Sequence, residues 1–202
     1  MSNYEIRKMA REKLGNSIFG STWLMALVAY IVFVAVTSAT SYFGIGVILI
    51  GCLEYGYLGI HLDLVRGNSN IDLADCFSGF RMFSRTLVLG LLQYIFISLW
   101  SLLLFIPGIV KAYSYSMAYY IMKDHPEYTP SQCITESRRI MDGHKMDLFL
   151  LDLSFIGWEI LCVFTLGLGM LWLAPYTMTS RAVFYYDLVG SASRDSFYTE
   201  SL

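Results

Sequence analysis

The chain has 202 residues, of which 56% are hydrophobic and 15% charged, with a net charge of −2; soluble domains carry about 45–50% apolar and about 25% charged residues. That composition excludes a soluble enzyme, and a balance so near neutrality lacks the basic footprint that nucleic acid requires. The four cysteines, Cys52, Cys76, Cys133 and Cys162, form no C-x-x-C pair, which suits small apolar fillers better than a disulfide frame or a zinc site.

In chain order, Ser2-Asn3-Tyr4-Glu5 has the spacing of a capping box, in which hydroxyl and carboxylate satisfy each other's backbone N–H. Ile6, Met9, Ala10 and Leu14 then recur at helical spacing opposite Arg7, Lys8 and Arg11, and Gly15 is placed to end the helix. A basic amphipathic helix over 1–15 can lie on a membrane surface; a solvated helix of no special role satisfies the same pattern. Residues 17–38 form the first apolar span. A basic start and Thr37-Ser38-Ala39 also resemble a cleaved signal peptide, but more apolar spans follow, so retention is the expectation.

Residues 44–65, GIGVILIGCLEYGYLGIHLDLV, combine five glycines with Glu54, His61 and Asp63. Too polar to face lipid all round and rich in residues that let backbones approach, this segment is expected to be an inner helix. A polar loop and a surface-lying helix near 71–77 lead to residues 86–106, whose helix would be about 31 Å long, one bilayer core thick. Pro107-Gly108 should stop it, because proline supplies no N–H and glycine tolerates turn dihedrals. Residues 109–123 then return, making a transmembrane hairpin.

Thr129-Pro130 marks the start of a helix that should bury Cys133, Ile134, Ser137 and Met141 and end at Gly143. Residues 148–172 are apolar apart from Asp152 and Glu159. Ala174-Pro175 should break that run, and 176–189 return. The serine-rich stretch 191–202 has a disordered composition. Twelve of the fourteen Lys and Arg residues fall in segments that six spans place on one side. The opposite turns, near 39–43, 107–108 and 174–175, carry no charge. The positive-inside rule then puts both termini in the cytoplasm. The expected fold is an all-α polytopic membrane bundle of residues 1–190, with six spans in three hairpins, in the plasma membrane. The tyrosine pairs Tyr119-Tyr120 and Tyr185-Tyr186 occupy similar places after the two proline turns, a faint sign of repetition.

The runs LWSLLLFIPGIVKAYSYSMAYYIMKDHPEYTPSQCITESRRIMDGHKMDLFLLDLSFIGWEIL and TLGLGMLWLAPYTMTSRAVFYYDL resemble the bacterial integral membrane family catalogued as domain of unknown function 975. EIRKMAREKLGN and GCLEYGYLGIHLDLVRG extend the resemblance over nearly the whole chain. It implies a multi-pass membrane protein and brings no catalytic residue.

The charges inside the spans are the candidates for chemistry: Glu54, Lys111, Asp152, Glu159, Arg181 and Asp187. Each costs from about 2.5 kcal/mol upward in hydrocarbon, so pairing or water access is expected. Counted from the outer turns, Arg181 lies about 9 Å deep, Glu54 about 15 Å, Lys111 about 6 Å and Glu159 about 21 Å. Glu54 is therefore the expected partner of Arg181, with Lys111 a competing donor and Glu159 closer in depth to Asp187. Asp152 and Glu159, seven apart, should share one face of a single helix. Arg138, Arg139, His144 and Lys145 could grip a lipid phosphate. There is no H-E-x-x-H, G-x-S-x-G or P-loop motif, so no enzyme, metal or cofactor is expected. Two function classes remain. One is a membrane-embedded interaction or envelope-support protein binding lipid, a second copy or another membrane protein. The other is a small permease whose path is lined by spans two and five.

Overall fold

The computed structural model describes residues 1–17, 19–42, 46–68, 71–103, 105–165 and 167–199. Every regular element among them is helical: α1 (Asn3–Lys13), α2 (Ser21–Tyr42), α3 (Gly46–Val65), a 3-10 helix (Leu73–Met82), α4 (Phe83–Leu103), α5 (Phe105–Tyr115), α6 (Ala118–Asp124), α7 (Pro130–Ile140), α8 (Lys145–Leu153), α9 (Ile156–Phe164) and α10 (Met170–Thr199). Two segments, Ser21–Thr40 and Leu73–Leu102, are long and apolar enough to cross a membrane.

Helix α3 is the hub. From Gly51 to Val65 only Glu54 and Asp63 are not fully buried. Its neighbours include the 3-10 helix, α2, α4, α6 and α10. The glycines expected to admit close neighbours do so here. A Cβ on Gly56 would overlap the carbonyl of Cys76, and one on Gly79 would overlap the carbonyl of Cys52. These two glycines seat one side of the 3-10 helix along α3, while Asp72 at its start and Ala74, Phe77 and Phe80 on it stay exposed, so the segment expected to lie on the surface does so against the hub helix. Asp72 starts it by accepting from the Ala74 N–H at 2.9 Å, a local cap for an otherwise orphan donor. One apolar core lies on the side of α3 that meets α6 and α10 and extends to α7 beyond them. A second joins α2 to the opposite side through Trp23, Ala26 and Tyr57.

Helix α1 forms as its spacing dictates. Ser2 and Glu5 make both bonds of the capping box, and Ile6 and Ala10 are buried. Gly15 at φ +93° ends it, with the Asn16 N–H reaching back to the Arg11 carbonyl at 3.0 Å. Rather than facing outward alone, α1 lies antiparallel to α10: the Met1 amine meets Asp187 at 2.7 Å, and the Tyr176 hydroxyl donates to the Arg7 carbonyl at 3.2 Å.

Both proline turns lie elsewhere than expected. Pro107 sits in the first turn of α5, where helix N–H groups have no partner and a missing donor costs nothing. Pro175 lies inside α10. The break before α10 comes instead from Gly167 at φ +84°, whose N–H bonds the Cys162 carbonyl at 2.9 Å, a glycine helix stop. The expected fourth span divides into α5 and α6 and the fifth into α8 and α9, so each piece is shorter than the roughly 20 residues of a straight crossing. Ser137 of α7 stabilises the first division by accepting from the Met117 N–H at 3.2 Å and donating to the Ser114 carbonyl at 2.8 Å. Thr129 caps α7 in a box with Gln132, and Cys133, Ile134 and Ser137 are buried as the pattern requires. Helix α10 runs on to Thr199, into the polar stretch expected to be disordered; 191–199 contains neither glycine nor proline to stop it.

Candidate functional site

The half-buried charges converge on Arg181, midway along α10. Its Nε and Nη2 donate to the two oxygens of Asp152 at 3.0 and 2.7 Å. The Tyr113 hydroxyl of α5 donates to Asp152 Oδ2 at 3.0 Å. A planar guanidinium and a carboxylate meeting in parallel make the strong, oriented form of an ion pair. The expected partner, Glu54, forms no hydrogen bond among the described residues. Depth alone does not select the partner: counted from Met170, where α10 begins, Arg181 lies about 16 Å along its helix, level with the about 15 Å counted for Glu54, yet its side chain turns to Asp152 of α8. The break after Leu153 divides span five into two helices; Asp152 pairs with α10 and Glu159 is exposed, and both line the same cavity.

Two cavities flank Arg181 and share it along with Tyr30 and Met178. One, of about 280 Å³, contains Glu54, Gln93, Tyr57 and Tyr120. The hydroxyls of Tyr57 and Tyr120 are buried there without a hydrogen-bond partner. The other, of about 420 Å³, contains Asp152 and Glu159. Arg181 therefore stands between a cavity holding one carboxylate and a cavity holding two. Chemically, the arrangement can hold a small polar species or water against a fixed charge. Among the described residues no group of three His, Cys, Asp or Glu side chains is placed to hold a metal ion.

The other expected site residues lie apart. Lys111 Nζ sits 4.8 Å from the centre of the Trp100 ring, a cation–π contact rather than an ion pair. Asp187 meets the Met1 amine. Arg139 forks onto Glu136 at 2.9 and 2.6 Å and so holds the Glu136 carboxyl below its ordinary range. His144 meets Asp147 at 3.0 Å and Lys145 meets Asp142 at 3.1 Å. Three of the four residues expected to grip a lipid phosphate are thus matched by an acid three residues away.

A second polar cluster escaped the sequence reading. Lys123 donates to Asp63 at 2.6 Å and to the Gly59 carbonyl at 2.8 Å. Asp124 accepts from Arg66 at 2.5 Å and from the Tyr185 hydroxyl at 2.8 Å. The Tyr185 ring stacks on Tyr120 at 5.1 Å. The signal was present as the two tyrosine pairs, which meet in space.

The fold and site define an all-helical protein with two helices long and apolar enough to cross a membrane and a charged centre between its helices. The chain belongs to the family described as Protein of unknown function (DUF975), whose model matches residues 1–114 and 102–192. Comparison with curated proteins and with solved structures finds no match.

Proposed function

We propose that the chain is a multi-pass protein of the cell membrane. Six spans in three hairpins with both termini cytoplasmic would separate α1 from Tyr176, against which Arg7 and Arg11 lie, so the reading does not depend on that topology. In this reading it works without catalysis, as an interaction or envelope-support protein that binds lipid or another membrane protein. The observation that carries this reading is the run of large apolar side chains exposed on α4, α5 and α9. Leu91, Leu99, Leu102, Ile106, Val163 and Phe164 are among them, with Leu102 at 86% and Phe164 at 81%. Apolar exposure on that scale needs a membrane or a partner to cover it. A photo-crosslinking residue placed at Leu99 or Val163 in living cells should form adducts with lipid or with one membrane protein. Adducts with soluble proteins alone would reject the reading.

A permease is the second reading, and the sharing of Arg181 by two acid-containing cavities favours it. Protein reconstituted in vesicles loaded with a pH-sensitive dye should then conduct protons or a small ion. Replacement of Arg181 should change the flux. A tight vesicle, unaffected by the variant, would leave the interaction reading alone.

A further inference from the structure

We propose that a groove between α1, α9 and α10 binds one anionic phospholipid, its phosphate held by Arg7, Lys8 and Arg11 and an acyl chain lying along Trp158, Leu161 and Trp172. This deepens the membrane reading above and rests on it.

The groove measures about 780 Å³, within the range of sites that hold small ligands. Its polar rim comes from one helix. Arg7, Lys8 and Arg11 line it with Glu12, three cations against one carboxylate. Among the described residues none of the three cations is in an ion pair. Arg7 and Arg11 instead lie over the rings of Phe155 and Tyr176, at 6.0 and 5.8 Å. By contrast, Arg66, Lys123, Arg139, Lys145 and Arg181 each meet a carboxylate. The charge on α1 is therefore not matched by an acid within the protein and is open to an outside anion.

The opposite wall is aromatic and apolar. Three of the four tryptophans of the chain, Trp23, Trp158 and Trp172, line the same groove. The indole N–H groups of Trp23 and Trp172 are buried without an acceptor, and an unmade hydrogen bond of that kind is costly. Trp158 is 59% exposed and Leu161 55%, leaving apolar surface beside the cations. Cations without acids and an apolar wall in one groove match a molecule that is anionic at one end and apolar at the other. Tryptophan and tyrosine favour the headgroup level of a bilayer, and basic side chains there favour anionic lipid.

The tryptophans report on the groove directly. The full chain is reconstituted in phosphatidylcholine vesicles, and a minor fraction of phosphatidylglycerol brominated on its acyl chains is added as quencher. Quenching is compared with that from the same fraction of brominated phosphatidylcholine. One surface cation favours anionic lipid by about fivefold, equivalent to about 1 kcal/mol, so the anionic quencher should work at a fraction at least about fivefold lower. K8Q/R11Q changes two exposed side chains and should abolish the preference. W100F, which removes the tryptophan outside the groove, should keep it. Equal potency of the two lipids, or a preference that survives in K8Q/R11Q, overturns the proposal and leaves the membrane reading standing. Quenching by neither lipid overturns both. The comparison on the unaltered chain decides the matter even if a variant fails to fold.

Discussion

Arg181 and Asp152 join α10 to α8 through two parallel hydrogen bonds, and Tyr113 of α5 donates to the same carboxylate. Three elements therefore depend on one anion. Breaking a fully buried pair costs about 3–5 kcal/mol; with 37% of the Arg181 side chain exposed, Arg181→Ala should cost about 2 kcal/mol, the partial exposure allowing the stranded acid some solvation. Asp152→Asn should behave alike, and the double variant should be more stable than the sum of the two losses implies. Glu54→Gln combined with Arg181→Ala should be additive. Thermal unfolding in detergent and in lipid measures the cycle. Coupling to Glu54 in place of Asp152 would move the centre of the site to the smaller cavity.

Gly79 and Gly56 offer a second test, since each faces a backbone carbonyl that no rotamer change can move. Gly79→Ala should destabilise by about 1–3 kcal/mol or more, the usual range for overpacking a filled interior. Gly157→Ala, with open space around the added methyl, should be neutral or stabilising by about 0.5–1 kcal/mol through helix propensity. Equal effects at both positions would mean that the 3-10 helix does not seat on α3.

The first half of the chain was more legible than the second. Caps and glycine stops are local: Ser2, Gly15 and Thr129 act through bonds to residues within a turn or two, so adjacent letters specify them. The burial of α3 was legible because glycine density and scattered polar groups together exclude a lipid-facing helix. Pro107 and Pro175 misled because proline forbids one hydrogen bond, and the cost depends on where the helix starts. For Pro175 that start is set by Gly167, whose backbone angle is invisible in the sequence. The Arg181 partner was missed for another reason, since depth along a helix says nothing of which neighbour a side chain faces, and Asp152 and Glu54 flank it on different sides. Ser137 could not be read at all as the stabiliser of the α5–α6 division, because its partners lie 20 and 23 residues away.

Membrane topology is tested by cysteine labelling in intact cells, using a chain whose native thiols have been removed. A cysteine replacing Tyr42 should react from outside, whereas one replacing Asn68 or Tyr128 should react only after the membrane is opened. The positive-inside count requires this result, whereas the seating of Arg7 on Tyr176 sets α1 beside a turn that the same count puts outside, and the labelling decides between them. External labelling at position 68 would falsify the three-hairpin arrangement.

Burial pushes the Cys133 thiol up to about 11 from its ordinary 9.0. The unfolded chain therefore loses this proton before the folded chain does. Stability contributed by the buried thiol is complete below pH 9 and is lost as pH rises toward 11. The stability of the wild type relative to Cys133→Ala should consequently fall across that interval and be flat at lower pH. A difference constant from pH 7 to about 11 would show that the thiol titrates alike in both states.

The antiparallel seating of α1 on α10 also has a consequence in time. The bond from Tyr176 to the Arg7 carbonyl spans 169 residues, roughly ten to thirty seconds of synthesis at the ribosome. Throughout that interval the first helix has emerged and its mate does not yet exist. Its apolar stripe must wait on a membrane surface or a chaperone, and α3 waits with it, lacking one of its walls. Synthesis of α10, rather than the exit of any earlier segment, supplies the surface on which α1 comes to rest.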